Sequence, residues 1–197
     1  MKILGKLQTP YYCLPGNNDK NDDRKDILSI CVRKKIFHLE DRGNHFIFFD
    51  NTVKGSHKGR MPKKLIAELE RIVATINPKE NIFMLMHIPP SLKPVAQLDD
   101  EEKKWRFTAP ARQRLLTFLD AHNIKAIFCG HRHKQEDFML NGTRFITAPS
   151  TCWNDDNSPL GYLIADIDKD KFSIKFKNIP IWDAARCTAC TSESDNV

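Results

Sequence analysis

Ile124-Lys125-Ala126-Ile127-Phe128-Cys129-Gly130-His131-Arg132-His133 is the stretch whose reading decides the fold. Its apolar run reads as a short buried strand, and it ends on two imidazoles one residue apart. In an extended segment residues i and i+2 project to the same side, and Gly130 removes a side chain that would hold the backbone away from an ion. Two other apolar runs end in similar chemistry. Residues 11–14 lead into Pro15-Gly16-Asn17-Asn18-Asp19, and residues 82–86 lead into His87-Ile88-Pro89-Pro90. Open parallel sheets bind ligands beyond the carboxyl ends of their strands, so three strands that end in ligand-bearing residues predict one shared site.

Pro62 suits the first turn of a helix over 63–76, where Leu65, Ile66, Leu69, Ile72, Val73 and Ile76 recur at helical spacing. Asn77-Pro78 ends it, and the 82–86 strand follows. The order then repeats. Thr108 is the expected N-cap of a helix over 109–122 with Leu115, Leu116 and Leu119 on one face, and a strand over 124–129 comes next. Alternating helices and strands indicate a layered α/β domain. Residues 46–50 predict a strand, paired as a hairpin with 37–39 around Arg42-Gly43-Asn44. Beyond the last histidine, residues 144–147, 160–167 and 172–176 predict three strands of a second, mainly antiparallel sheet. The charged run 99–104 reads as a solvated loop or lid. Residues 184–197, small and polar, read as a disordered tail, which leaves one domain over 1–183.

A chain of 197 residues buries roughly 70% of the surface its unfolded form exposes, enough for an ordinary core. Hydrophobic residues at 41% and charged residues at 28% exclude wholesale disorder and fibrous structure. The net charge of +6 permits an anionic partner, but the basic residues are spread out. A solvated basic surface therefore fits better than a nucleic-acid footprint. No apolar stretch approaches the ~20 residues of a membrane span, and residues 1–16 lack the apolar core of a signal peptide. The expectation is a soluble, cytoplasmic protein without membrane partners. Cys13, Cys31, Cys129 and Cys152 sit beside apolar residues, as buried reduced thiols do. Cys187 and Cys190 form a lone CxxC, a weak signal for zinc or redox chemistry, and Cys129, His131 and His133 are too compressed for a zinc finger.

Taken singly, each candidate ligand has a plainer alternative. His87 reads equally as a core histidine, Asn17 as a turn residue beside Gly16, and His131 and His133 as surface residues. Together, Gly16-Asn17-Asn18-Asp19, His87-Ile88-Pro89-Pro90 and Gly130-His131-Arg132-His133, in that order, resemble the calcineurin-like metallophosphoesterases, nearest to their cyclic-nucleotide-phosphodiesterase-like branch. The resemblance extends to Phe48-Phe49-Asp50-Asn51 and to Ala148-Pro149-Ser150-Thr151. It implies an αββα four-layer sandwich, two metal ions sharing a bridging water, and a phosphoester substrate. Asn17, His87 and His131 would then hold one ion and His133 the other. Asn18 and Asp19 would occupy catalytic positions, and Arg132 would either touch the substrate phosphate or stand between the histidines as an exposed spacer. Imidazole nitrogens with an amide oxygen suit a divalent transition metal such as manganese, iron or zinc.

Two departures qualify what the resemblance implies. The family opens with D-x-H and G-D-x-x-D motifs, and neither occurs before Gly16. The expectation is a fold lacking its N-terminal strand-helix-strand unit, with the 11–14 strand at an exposed edge through which copies could self-associate. Two dications about 4 Å apart repel by about 16 kcal/mol at an effective dielectric of about 20, and the remaining ligands carry no formal negative charge. At most one ion is expected. Asn18 also stands where the family has a histidine thought to protonate the leaving group, and an amide donates a hydrogen bond but delivers no proton near neutral pH. Two functions follow: a metal-dependent phosphoesterase, weak or inactive as this chain alone, or a non-catalytic binding module on the same fold.

Overall fold

The computed structural model describes residues 4–20, 34–90, 107–153, 157–168 and 171–180. Their elements are β1 (Ile36–Asp41), β2 (Asn44–Phe49), α1 (Lys63–Val73), β3 (Asn81–Met86), α2 (Ala109–Ala121), β4 (Ile124–Cys129), β5 (Glu136–Leu140), β6 (Thr143–Thr147), β7 (Gly161–Asp168) and β8 (Lys171–Asn178). Six strands form one mixed sheet in the order β1-β2-β3-β4-β6-β5, and β7 pairs with β8 in a second. Strands β2, β3, β4 and β6 are mutually parallel, and β1 and β5 close the two edges antiparallel. The carboxyl ends of four neighbouring strands therefore lie along one rim.

The β1–β2 hairpin turns through Arg42 and Gly43, both with positive φ (51° and 74°), as a two-residue turn matched to strand twist requires. The two amphipathic helices cover one face of the large sheet. Leu69 and Val73 of α1 and Ala111, Leu115, Phe118 and Leu119 of α2 pack with Ile47, Phe49, Met84, Met86, Ile127 and Phe145 in one continuous core. On the opposite face, Phe83, Ala126 and Ile146 meet the partly buried inner residues of the second sheet: Leu163, Ile167, Phe172, Ile174 and Phe176. Helices, six-stranded sheet and two-stranded sheet make three layers among the described residues.

Several expectations need correction. Residues 144–147 do not join the second sheet; as β6 they run parallel to β4 in the first. Adjacent Phe145 and Ile146 are both buried, one on each face, so this strand needs cover on both sides and fits only in the sheet interior. Its neighbour β5, with alternating exposed and half-buried residues, was not anticipated. Residues 11–14 form no strand, only a single bridge at Cys13. Tyr12 instead lays its ring against Phe37 and Phe48, with centroids 5.5 and 5.6 Å away. Thr108 occupies the N-cap of α2 without a capping hydrogen bond from its side chain, and Pro at the first positions starts the helix. Helix α1 stops at Val73, short of Ile76. Cys129 is buried as expected, Cys13 is half-buried, and Cys152 is exposed. The 99–104 run, Cys31, Cys187, Cys190 and the 184–197 tail lie outside the described residues.

Candidate metal centre

The parallel rim gathers the polar residues that follow each strand. After β3 comes His87, whose carbonyl accepts from the backbone N–H of Gly130 beyond β4 at 3.0 Å. After β6, Ala148 donates back to the carbonyl of Cys129 at 2.8 Å. These cross-links extend the sheet past its last regular pair and bring the loops into one plane. Gly16 packs against the same point. A Cβ there would lie 3.1 Å from His87 Cε1 and 3.2 Å from His87 Nε2, so a side chain would press directly on the imidazole.

Asn17 joins the loops. Its Oδ1 accepts from His87 Nε2 at 2.9 Å and from His131 Nδ1 at 3.0 Å, across 70 and 114 residues of sequence. Its Nδ2 donates to Asn18 Oδ1 at 3.0 Å and to His57 Nδ1 at 3.1 Å. The rings of His87 and His131 meet edge to face at 5.0 Å. Burial pulls His87 down to about 4, helped by His133 and opposed by Asp19 and Asp50. Burial pulls His131 down to about 3, reinforced by His87, His57, Arg132 and His133. Both rings are neutral at pH 7, the form that presents a lone pair to a metal.

The loop after β4 does not have the extended geometry that the sequence suggested. His131 and His133 both take left-handed backbone, with φ of 69° and 54°, and Arg132 N–H bonds back to the Gly130 carbonyl at 2.8 Å. That closes a three-residue turn centred on His131, a strained conformation for a side chain with a Cβ. The turn aims Nδ1 of His131 at Asn17. His133 lies edge-on to the exposed Trp153 at 5.4 Å. Arg132 is half-buried, and its Nε makes no hydrogen bond among the described residues. Asn18 is exposed beside Asn17, while Asp19 turns back so that its Oδ2 accepts from Gly16 N–H at 2.8 Å.

The structure thus brings together Asn17, His87 and His131, sets Asn18, Arg132 and His133 around them, and turns Asp19 toward its own loop. Sequence reasoning missed His57 and Trp153. His57 lies in the segment after β2, and nothing local distinguishes it from a surface histidine; only the fold brings it to Asn17.

A family model for the calcineurin-like phosphoesterases matches residues 1–135. The chain belongs to this family. A 3',5'-cyclic adenosine monophosphate phosphodiesterase CpdA of Vibrio vulnificus is 27% identical over 76% of this chain and 53% of its own length. A glycerophosphodiester phosphodiesterase GpdQ of Enterobacter lignolyticus is 25% identical over 76% of this chain and 54% of its own. The chain spans about half the length of the curated relatives it matches. The purple acid phosphatase PPD1 of yellow lupin superposes with a TM-score of 0.57 at 12% identity, covering 83% of this chain and 35% of that one, a likeness of fold.

Members of the calcineurin-like phosphoesterase family normally use divalent metals. Among the described residues, no three His, Cys, Asp or Glu side chains gather as a ligand group. The set that does converge is one amide and two imidazoles. Adjacent ligands of an octahedral ion with bonds of about 2.1 Å lie about 3.0 Å apart, and both nitrogens here lie 2.9 and 3.0 Å from Asn17 Oδ1. By spacing each nitrogen fits a ligand position beside Asn17 Oδ1, and each neutral ring would present its lone pair there once its proton sits on the other ring nitrogen. All three are uncharged.

Proposed function

We propose that this chain carries a metal-dependent phosphoesterase centre, in which Asn17, His87 and His131 hold one divalent ion and His133 faces a second position. The observation that carries the reading is the convergence of two neutral imidazole nitrogens on a single amide oxygen at 2.9 and 3.0 Å. When bound, such an ion polarises a phosphoryl oxygen and makes water a better nucleophile. Manganese, iron or zinc matches the mixed nitrogen and amide-oxygen donors. The substrate is a phosphoester, and the curated relatives favour a phosphodiester.

The chain's own residues bind and orient. Arg132 supplies a guanidinium for phosphate oxygens. Asn18 donates a hydrogen bond to the substrate but no proton, and Asp19 acts through its hydrogen bond to Gly16, which fixes the loop that presents Asn17. With an uncharged ligand set, the described residues bind at most one ion, and turnover by this chain alone is weak. The protein works in the cytoplasm.

Metal analysis after dialysis, combined with hydrolysis of bis-p-nitrophenyl phosphate in manganese, tests the reading. The expected result is about one equivalent or less of metal, lost in His87→Ala and His131→Ala, with hydrolysis only marginally above background. Two retained equivalents, or binding unchanged in both variants, overturns the ligand assignment. A binding module without turnover is the second reading, favoured by the amide of Asn18 and the absence of a carboxylate from the converging donors; metal binding with no hydrolysis at all selects it.

A further inference from the structure

Asn51 lies two residues past the end of β2 and is 1% exposed. Its Nδ2 donates to the Ile88 carbonyl at 2.6 Å, and its Oδ1 accepts from the Ile88 N–H at 3.1 Å. One side-chain amide therefore satisfies both backbone groups of one residue, as a neighbouring strand would. The peptide unit between His87 and Ile88 is consequently held at both ends, its N–H by Asn51 and its carbonyl by Gly130 N–H at 3.0 Å. The next residue, Pro89, has no N–H to offer, so the chain has no backbone donor of its own there.

Asn51 is itself fixed. Its carbonyl accepts from Arg60 N–H at 2.9 Å. Its neighbour Asp50 accepts from the Thr52 N–H and hydroxyl at 3.0 and 2.6 Å and pairs with Lys35 at 2.8 Å. A buried amide in such a frame costs free energy unless both its ends are matched, and here both are spent on the residue that follows His87.

We infer that Asn51 is a positioning residue for His87: by clamping the 87–88 peptide between the ends of β2 and β4 it sets the angle at which His87 Nε2 meets Asn17 Oδ1. The inference rests on the proposed metal centre for its consequence but not for its geometry, and the experiment separates the two. The full chain is titrated with Mn2+ and with Co2+ by calorimetry and visible absorption, and the His87 ring resonances of the metal-free protein are followed by NMR. Asn51→Ala, Asn51→Asp and the remote core variant Leu69→Ala are compared below their melting temperatures. The expected result is a loss of about 10- to 100-fold in metal affinity at unchanged stoichiometry in Asn51→Ala, a smaller loss in Asn51→Asp, which keeps the acceptor for Ile88 N–H, and little loss in Leu69→Ala. His87 resonances should shift in both Asn51 variants and not in Leu69→Ala. If Asn51→Ala fails to fold, Asn51→Asp carries the comparison. Wild-type affinity in the Asn51 variants, or an equal loss in Leu69→Ala, overturns the inference. If the wild-type chain binds neither ion, the metal reading fails, and unmoved His87 resonances would then overturn the positioning role too, whereas shifted ones would uphold it.

Discussion

The two faces of the six-stranded sheet are built to different standards. Against the helices, twenty buried side chains among the described residues make one continuous core. Against the second sheet, among the described residues, Phe83, Ala126 and Ile146 are buried and pack with partly buried aromatic and aliphatic side chains. Toward the rim this second face opens into a cavity of about 230 Å3 lined by Tyr12, Leu14, Phe48, Leu85 and Phe128 and floored at His87 and Gly130. Stability therefore resides on the helix face, and the candidate metal centre sits at the seam where the well-packed face meets the open one.

The largest expected effect breaks this comparison if it fails. Leu115, fully buried on α2, should cost about 4 kcal/mol when cut to alanine. Leu163→Ala, on the half-exposed inner face of β7, should cost about 1 kcal/mol. Chemical denaturation of the two variants measures the difference, and equal losses would mean that the faces are energetically alike.

The rim should respond to acid. His87 and His131 are held neutral down to about 4 and about 3, whereas in the unfolded chain both protonate near 6.5. Below 6.5 the unfolded state takes up more protons, so stability is full above that pH and falls as the pH drops toward 4. At pH 5 the loss is about 2 kcal/mol for each ring. Urea melts of metal-free protein between pH 7 and pH 5 give the slope, and replacing both histidines by glutamine should flatten it. A slope that survives the double replacement would place the acid-sensitive groups elsewhere.

The smallest effect concerns the join between the sheets. Arg144 makes two hydrogen bonds to Asp137, at 2.8 and 2.6 Å, and lies over the Phe172 ring of β8 at 5.5 Å. Both charged groups are partly solvated, so Arg144→Met should cost about 1 kcal/mol or less, and 1 M salt should recover little in the variant. A loss of several kcal/mol in thermal or urea melts would show that the open face depends on this one contact.

How much of this was legible depended on where the information lay. Helices α1 and α2 and strands β3 and β4 were readable because each carries its own periodic apolar pattern, and the β1–β2 hairpin was readable because Gly43 marks its turn. Residues 144–147 show that a strand is there but not which sheet it joins, because four residues do not reveal which neighbours will bury them. Tyr11 and Tyr12 have the composition of a strand but find no ladder among the described residues, and local composition does not encode that. Of the site, Asn17, His87 and His131 converge, since each follows an apolar run. The contact of His57 with Asn17 spans 40 residues and left no local trace. Asn51 had a signal: a polar residue directly following Phe48-Phe49-Asp50 at the end of a buried strand needs a partner.

The left-handed turn at His131 bears on portability. A short peptide reading Cys-Gly-His-Arg-His relaxes to extended or right-handed backbone, where a β-carbon is comfortable, and its first imidazole then points away from where the intact protein directs it. Transplanting the motif onto the flat end of another strand would copy the letters without the message. What must be carried across is the loop closure, together with the neighbouring strand ends that hold it.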